Sequence, residues 1–277
     1  SGPYARTLLS LTASAAKDAL LADQVCADPP TLALARHCLD QAGAWGVSGW
    51  PEDDVLRAGR QQQALPDRAG LRALIAAVDA DASLDRLEQI MDTQPVLAYR
   101  FLLYLGSTSA GRRNPAESLR HGLMMLGMRN LRSWLEQQMT EAGDDPDLWP
   151  VRRPLVLRAQ LTETLLDAGE QDLLRRELYL CALLAGIPRM LGEPMQAVLE
   201  RFELSERITS SLLSDQGPYA VLLALSDALG SHTRCATVPA LCEAQGLDLA
   251  DVNRVLLRTL AQLHARAPGG RGGEGSD

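Results

Sequence analysis

The stretch LDRLEQIMDTQPVLAYRFLLYLGSTSAGRRNPAESLRHGLMMLGMRNLRSWL, residues 84–135, decides the fold. Its apolar residues recur at helical spacing, and turn-forming residues fall between the periodic runs. Ser83 is placed to cap a helix that carries Leu84, Leu87, Ile90 and Met91 on one face. Pro95 suits the first position of a second helix, which carries Leu97, Phe101, Tyr104 and Leu105. Residues 106–113 read as a polar loop. Asn114, Pro115 and Glu117 then supply an N-cap, a first-turn proline and a glutamate close to a capping box. Leu119, Leu123 and Leu126 make the next apolar face, and Gly127 ends it. Leu131, Trp134, Leu135 and Gln138 continue as a fourth helix.

The helical pattern extends both ways from this block. Upstream, Leu71, Leu74, Ile75 and Val78 follow the i, i+3, i+4, i+7 rule. Downstream, an acidic break at 144–150 precedes a region where prolines 154, 194, 218 and 239 mark helix starts. Gly192 and Gly230 mark ends, and Asp248 and Asp251 open a last helix with Val252, Val255, Leu256, Leu260 and Leu263 as its stripe. Residues 1–64 have a different texture: a helix at 4–16, a short strand at 20–25, a helix at 30–42 and a second strand at 45–50, the alternation of βα units. Two such strands do not make a stable sheet alone. The glutamines at 61–63 with Pro66 read as a linker, and the glycine-rich tail 268–277 as disordered. The expected organisation is therefore a small α/β segment at 1–64, a helical domain at 65–267 and the tail, in a chain that is mainly α.

Composition narrows the function classes. The 277 residues carry a net charge of −8, which argues against general affinity for nucleic acid or anionic membrane. No apolar run reaches the roughly 18 residues of a membrane span, and no secretory leader is evident, so the expected setting is the cytoplasm. Cysteines 26, 38, 181, 235 and 242 are an odd number without knuckle spacing and read as reduced thiols, not zinc ligands.

Hydrolytic metal chemistry needs His, Asp or Glu side chains that converge. His37, His121, His232 and His264 are far apart in sequence, and none precedes an aspartate. There is no phosphate-cradling glycine loop after a strand and no nucleophile elbow. No cofactor, metal or catalytic residue is expected. The local anomaly is basic: Arg112, Arg113, Arg120, Arg129 and Arg132 stand against Glu117 alone, with Trp134 beside them. Guanidinium groups near a helix start can grip phosphate or carboxylate, so these six residues form the candidate partner- or anion-binding surface. A solvated helix surface in an arginine-rich chain, with 26 arginines against Lys17, is the plainer explanation.

Residues 84–135 resemble the HDOD domain, an HD-related output domain of bacterial signalling proteins. The residues that carry the resemblance are Gln94-Pro95, Tyr99-Arg100-Phe101-Leu102-Leu103, Gly106-Ser107, Ala116 with Ser118-Leu119, Gly122-Leu123 and Leu126-Gly127. Gln94 and Gly106 depart from the family's Asp and Asn. Leu131-Arg132-Ser133-Trp134, Arg153-Pro154-Leu155-Val156-Leu157-Arg158-Ala159 and Met190-Leu191-Gly192 are similar to the subgroup in which HDOD follows an EAL domain. Residues 20–25 and 46–51 look like the last βα segments of an EAL barrel, without its catalytic acidic motifs. The resemblance implies an HD-like multi-helix bundle with a remnant or truncated barrel end. It also implies a non-catalytic regulatory or scaffold module that meets other signalling proteins, in pathways linked to cyclic di-GMP. The alternative is a module that senses a nucleotide or other anion, a cyclic nucleotide among them, through the arginines at 112–132.

Overall fold

A computed structural model describes residues 23–58, 65–108, 117–166, 172–214, 216–231 and 233–266. The helix expected at 4–16, the linker glutamines, Arg112, Arg113, the Asn114-Pro115 pair, His232 and the tail lie outside the described residues. Most described residues are helical and the one sheet among them has two strands, so the chain is mainly α. It divides into two compact units. The first comprises the residues before Leu65 together with Asp145–Val151 and Met190–Gly192, and the second comprises the rest.

In the first unit, strands β1 (Val25–Ala27) and β2 (Gly46–Ser48) pair in parallel, with Cys26 opposite Val47. Parallel strands require a crossover, supplied here by helix α1 (Leu32–Arg36), which widens into a π turn over His37–Gln41. Thr31 caps α1, its hydroxyl accepting from the Leu34 amide at 3.3 Å. The βα alternation is as expected, but both strands are three residues long: the first begins at Val25 and the second stops before Gly49. Helix α2 (Glu52–Ala58) opens with three acids that complement its dipole, and Asp54 accepts the Leu32 amide at 2.9 Å. Asp147 ties the unit together, pairing with Arg36 and accepting at its carbonyl from Trp50 Nε1 at 3.2 Å.

The second unit is a helical bundle. Helix α3 (Arg68–Asp79), capped by Asp67, buries Leu71, Leu74 and Val78. Helix α4 (Leu84–Met91), capped by Ser83, buries Leu87 and Met91, and α5 (Pro95–Ser107) has its proline in the first turn. Helix α6 (Leu119–Leu126) and α7 (Met128–Thr140) meet at Gly127, whose φ of 72° and ψ of 156° lie in a region essentially reserved for glycine. That one residue ends a helix and begins the next. The floor of the core is Phe101, with Trp134 edge-on to it at 5.4 Å and Tyr104 stacked on Trp134 at 5.8 Å. Gly122 lets α6 approach α5: a β-carbon there would lie 2.5 Å from Leu105 Cδ1.

Four expectations need correction. Helix α5 runs through Gly106 and Ser107 instead of stopping at 105, because both positions still close helical hydrogen bonds before the Thr108 cap. The cap of α6 is Ser118, whose hydroxyl accepts from the His121 amide at 3.1 Å. Helix α8 (Trp149–Leu165) begins before Pro150, so Pro154 lies inside it and does not start it. Helix α9 (Asp172–Leu191), where the spacing sets no expectation for this proline, contains Pro188 with its neighbours Leu184 and Ile187 fully buried. Short helices α10 (Met195–Leu199), α11 (Glu206–Leu213), α12 (Ala220–Leu229) and α13 (Val238–Gln245) follow, then α14 (Leu249–Arg266). Asp248 caps α14 by accepting the Ala250 amide at 2.7 Å. Its stripe is narrower than the spacing suggests, since Val252 is buried whereas Leu260 is exposed.

Candidate functional site

Helices α4 and α6 meet α8 and α9 around a polar cavity of about 250 Å³, lined by Asp85, Glu88, Asp92, Glu163, Arg176 and Tyr179 among others. Glu88 enters it from the buried side of α4, a turn after Leu84 and beside Leu87, and is only 9% exposed. Such a charge survives burial only with partners. Arg176 of α9 supplies one, its Nε 3.1 Å from Oε1. Arg120 of α6 supplies the other, 3.5 Å from Oε2, and also pairs with Asp85. Burial nevertheless pushes the Glu88 carboxyl above its ordinary range, with Arg176 and then Arg120 pulling the other way. Burial likewise raises Glu163; Arg175 opposes the shift and Glu88 adds to it. Tyr179 donates its hydroxyl to the Asp92 carbonyl, and burial holds its phenol well above the usual range, so it stays protonated at neutral pH.

Chemically, the cavity is a set of carboxylates braced by guanidinium groups. Glu88 has both oxygens engaged and Tyr179 has its proton committed. Among the described residues, no three His, Cys, Asp or Glu side chains converge as a metal-ligand set. His121 accepts from the Glu117 amide at 3.4 Å, and His37 belongs to the other unit.

The six residues of the expected surface go to different places. Arg112 and Arg113 lie outside the described residues. Arg120 is drawn to the acids of α4. Arg132 grips Asp79 with Nε at 2.6 Å and Nη2 at 3.2 Å, and meets Glu136 at 2.8 Å. Arg129 is exposed. Trp134 corrects the expectation outright: it is 2% exposed, a core residue between Phe101 and Tyr104 that no partner can touch. Its place on the α7 stripe with Leu131 and Leu135 puts it there.

Glu88, Glu163, Arg176 and Tyr179 were not singled out by sequence reasoning. For Glu88 a signal exists: it interrupts the apolar stripe Leu84, Leu87, Ile90, Met91 at a position that faces inward. Glu163 and Arg176 carry no such mark, since their convergence depends on how α8 and α9 fold back.

The class defined by this architecture is a mainly α helical bundle preceded by a short parallel βα segment. No protein-family description matches the chain, and no curated protein does. In fold it is similar to the crystal structure of the MmoQ response regulator from Methylococcus capsulatus str. Bath, with a TM-score of 0.55 and 17% identity over 69% of this chain and 96% of that one.

Proposed function

We propose that the chain is a non-catalytic regulatory module of bacterial signal transduction, related to HDOD output domains, that acts by protein–protein contact in a cyclic di-GMP-linked pathway. The observation that carries the proposal is the polar cavity. Its most buried acid, Glu88, is held between Arg120 and Arg176, and its tyrosine is committed to a backbone carbonyl. Groups engaged in this way brace helices α4, α6 and α9 against one another, a structural use of charge rather than a catalytic one. Support also comes from the helices of the HDOD-like stretch, which pack as one unit, and from the fold likeness to a protein described as a response regulator.

The test has two arms. Purified chain incubated with cyclic di-GMP and linear dinucleotides, with added zinc, manganese or iron, is expected to show no turnover above buffer. A complex with a signalling protein, captured from cells and then rebuilt from purified components, is expected to run at a defined stoichiometry in light scattering. Turnover abolished by Glu88→Gln or Glu163→Gln would overturn the proposal. Calorimetry addresses the anion-sensing alternative: heat with cyclic di-GMP at micromolar concentration, lost in Arg129→Ala, would favour that reading.

A further inference from the structure

Cys26 and Cys38, twelve residues apart, touch across the crossover of the first unit: Cys38 Sγ lies 3.3 Å from Cys26 Sγ and donates a hydrogen bond to it. Cys26 sits in the middle of β1, and Cys38 in the π turn that follows α1. A covalent S–S bond is about 2.05 Å long, so the two sulfurs need to approach by little more than about 1 Å to form one. Their surroundings differ. Cys38 is fully buried, whereas Cys26 is half-buried on a strand whose flanking residues are exposed. Burial, followed by the Cys26 contact, pushes the Cys38 thiol up to about 11, so it remains protonated at neutral pH.

We propose that Cys26 and Cys38 are a redox-active dithiol, a modification site that low-molecular-weight disulfides oxidise to an intramolecular bridge. Cys26, the sulfur an outside reagent can reach, attacks the reagent disulfide as thiolate. The reagent's S–S bond breaks, one reagent thiolate leaves and takes a proton, and a mixed disulfide remains on Cys26. Cys38 then loses its proton and attacks the Cys26 sulfur, expelling the second reagent thiolate, which takes that proton. In sum, two protein thiols are oxidised and one reagent disulfide is reduced to two thiols. The bridge fastens the end of the crossover helix to the strand before it.

The test uses the whole chain carrying Cys235→Ser, which removes the exposed thiol outside the pair. The protein is exposed to oxidised glutathione, its remaining thiols are alkylated, and it is digested with trypsin without reduction. Arg36 lies between the two cysteines, so cleavage leaves them on separate peptides unless they are bridged. The expected result is a Cys26–Cys38 linked pair, lighter by two hydrogens and lost on reduction, that forms at least about tenfold faster in the folded chain than in urea. Cys38→Ser is expected to accumulate glutathione on Cys26, and Cys26→Ser to leave Cys38 unmodified. The proposal is overturned if the folded chain carries a lasting glutathione adduct on Cys26 with Cys38 free. It is equally overturned if bridging is no faster than in urea.

Discussion

Glu163 and Glu88 line one cavity and respond differently to substitution. The Glu163 carboxyl is raised in the folded chain by burial, so its ionised form opposes folding. That cost is absent below the ordinary carboxylate range and is fully present once pH exceeds the raised folded value. Glu163→Gln is therefore expected to stabilise the protein at neutral pH, with the gain shrinking toward zero near pH ~4; urea midpoints at the two pH values measure it. Burial raises the Glu88 carboxyl as well, but Glu88 is held by two arginines, and its removal deprives Arg120 and Arg176 of the acid they share. Glu88→Ala is expected to cost about 1–3 kcal/mol in the same measurement. Trp134→Ala opens the core beside Phe101 and is expected to cost about 3–5 kcal/mol. Spacing with Leu131 and Leu135 marks Trp134 as core, a signal that its basic neighbours outweigh when it is assigned to the expected surface. The pairing of Arg120 with Asp85 and of Arg132 with Asp79 was not legible, because those acids lie 35 and 53 residues away in the chain, unlike Glu136 one turn on from Arg132.

Among the elements, local chemistry was legible where one residue type leaves one geometry. Ser83 caps α4 through its hydroxyl, Pro95 opens α5 through its fixed ring, and Gly127 stops α6 because it has no side chain to forbid a φ of 72°. No neighbour lies within 4 Å of a β-carbon built at Gly127, so Gly127→Ala tests backbone conformation alone. The expected loss is about 1–3 kcal/mol, read from chemical denaturation. Pro154 was misleading because a proline marks a helix start only when burial does not override it, and Pro188 lies inside a helix in the same way. Leu155, Val156 and Ile187 are all buried beside them, and packing of those apolar faces sustains the helix despite the lost backbone donor. Leu260 shows the converse. Its periodicity is correct, but the last helix has more apolar positions than it has core to cover them.

For the molecule as a whole, the mainly α class followed from the density of periodic segments, and the helical alternation of 84–135 anticipated the bundle. The polar cavity was not legible, because four of its acids and bases come from helices separated by loops of unstated direction in the sequence. Chelation supplies a test at this scale. Prolonged exposure to a strong chelator is expected to leave the melting temperature unchanged, since among the described residues no ligand cluster joins the helices. With a net charge of −8, the chain is also expected to give no salt-sensitive shift of duplex DNA.

The first unit is not one run of sequence. It takes in Asp145–Val151, and Asp147 within that segment is the residue that holds Arg36 and Trp50. A gene fragment that stops before Leu65 would encode both strands and both of their helices yet omit this clasp. Such a fragment is expected to be cleared by cellular proteases, whereas supplying the missing heptapeptide in trans would not readily restore it, because tethering is what keeps Asp147 at high local concentration.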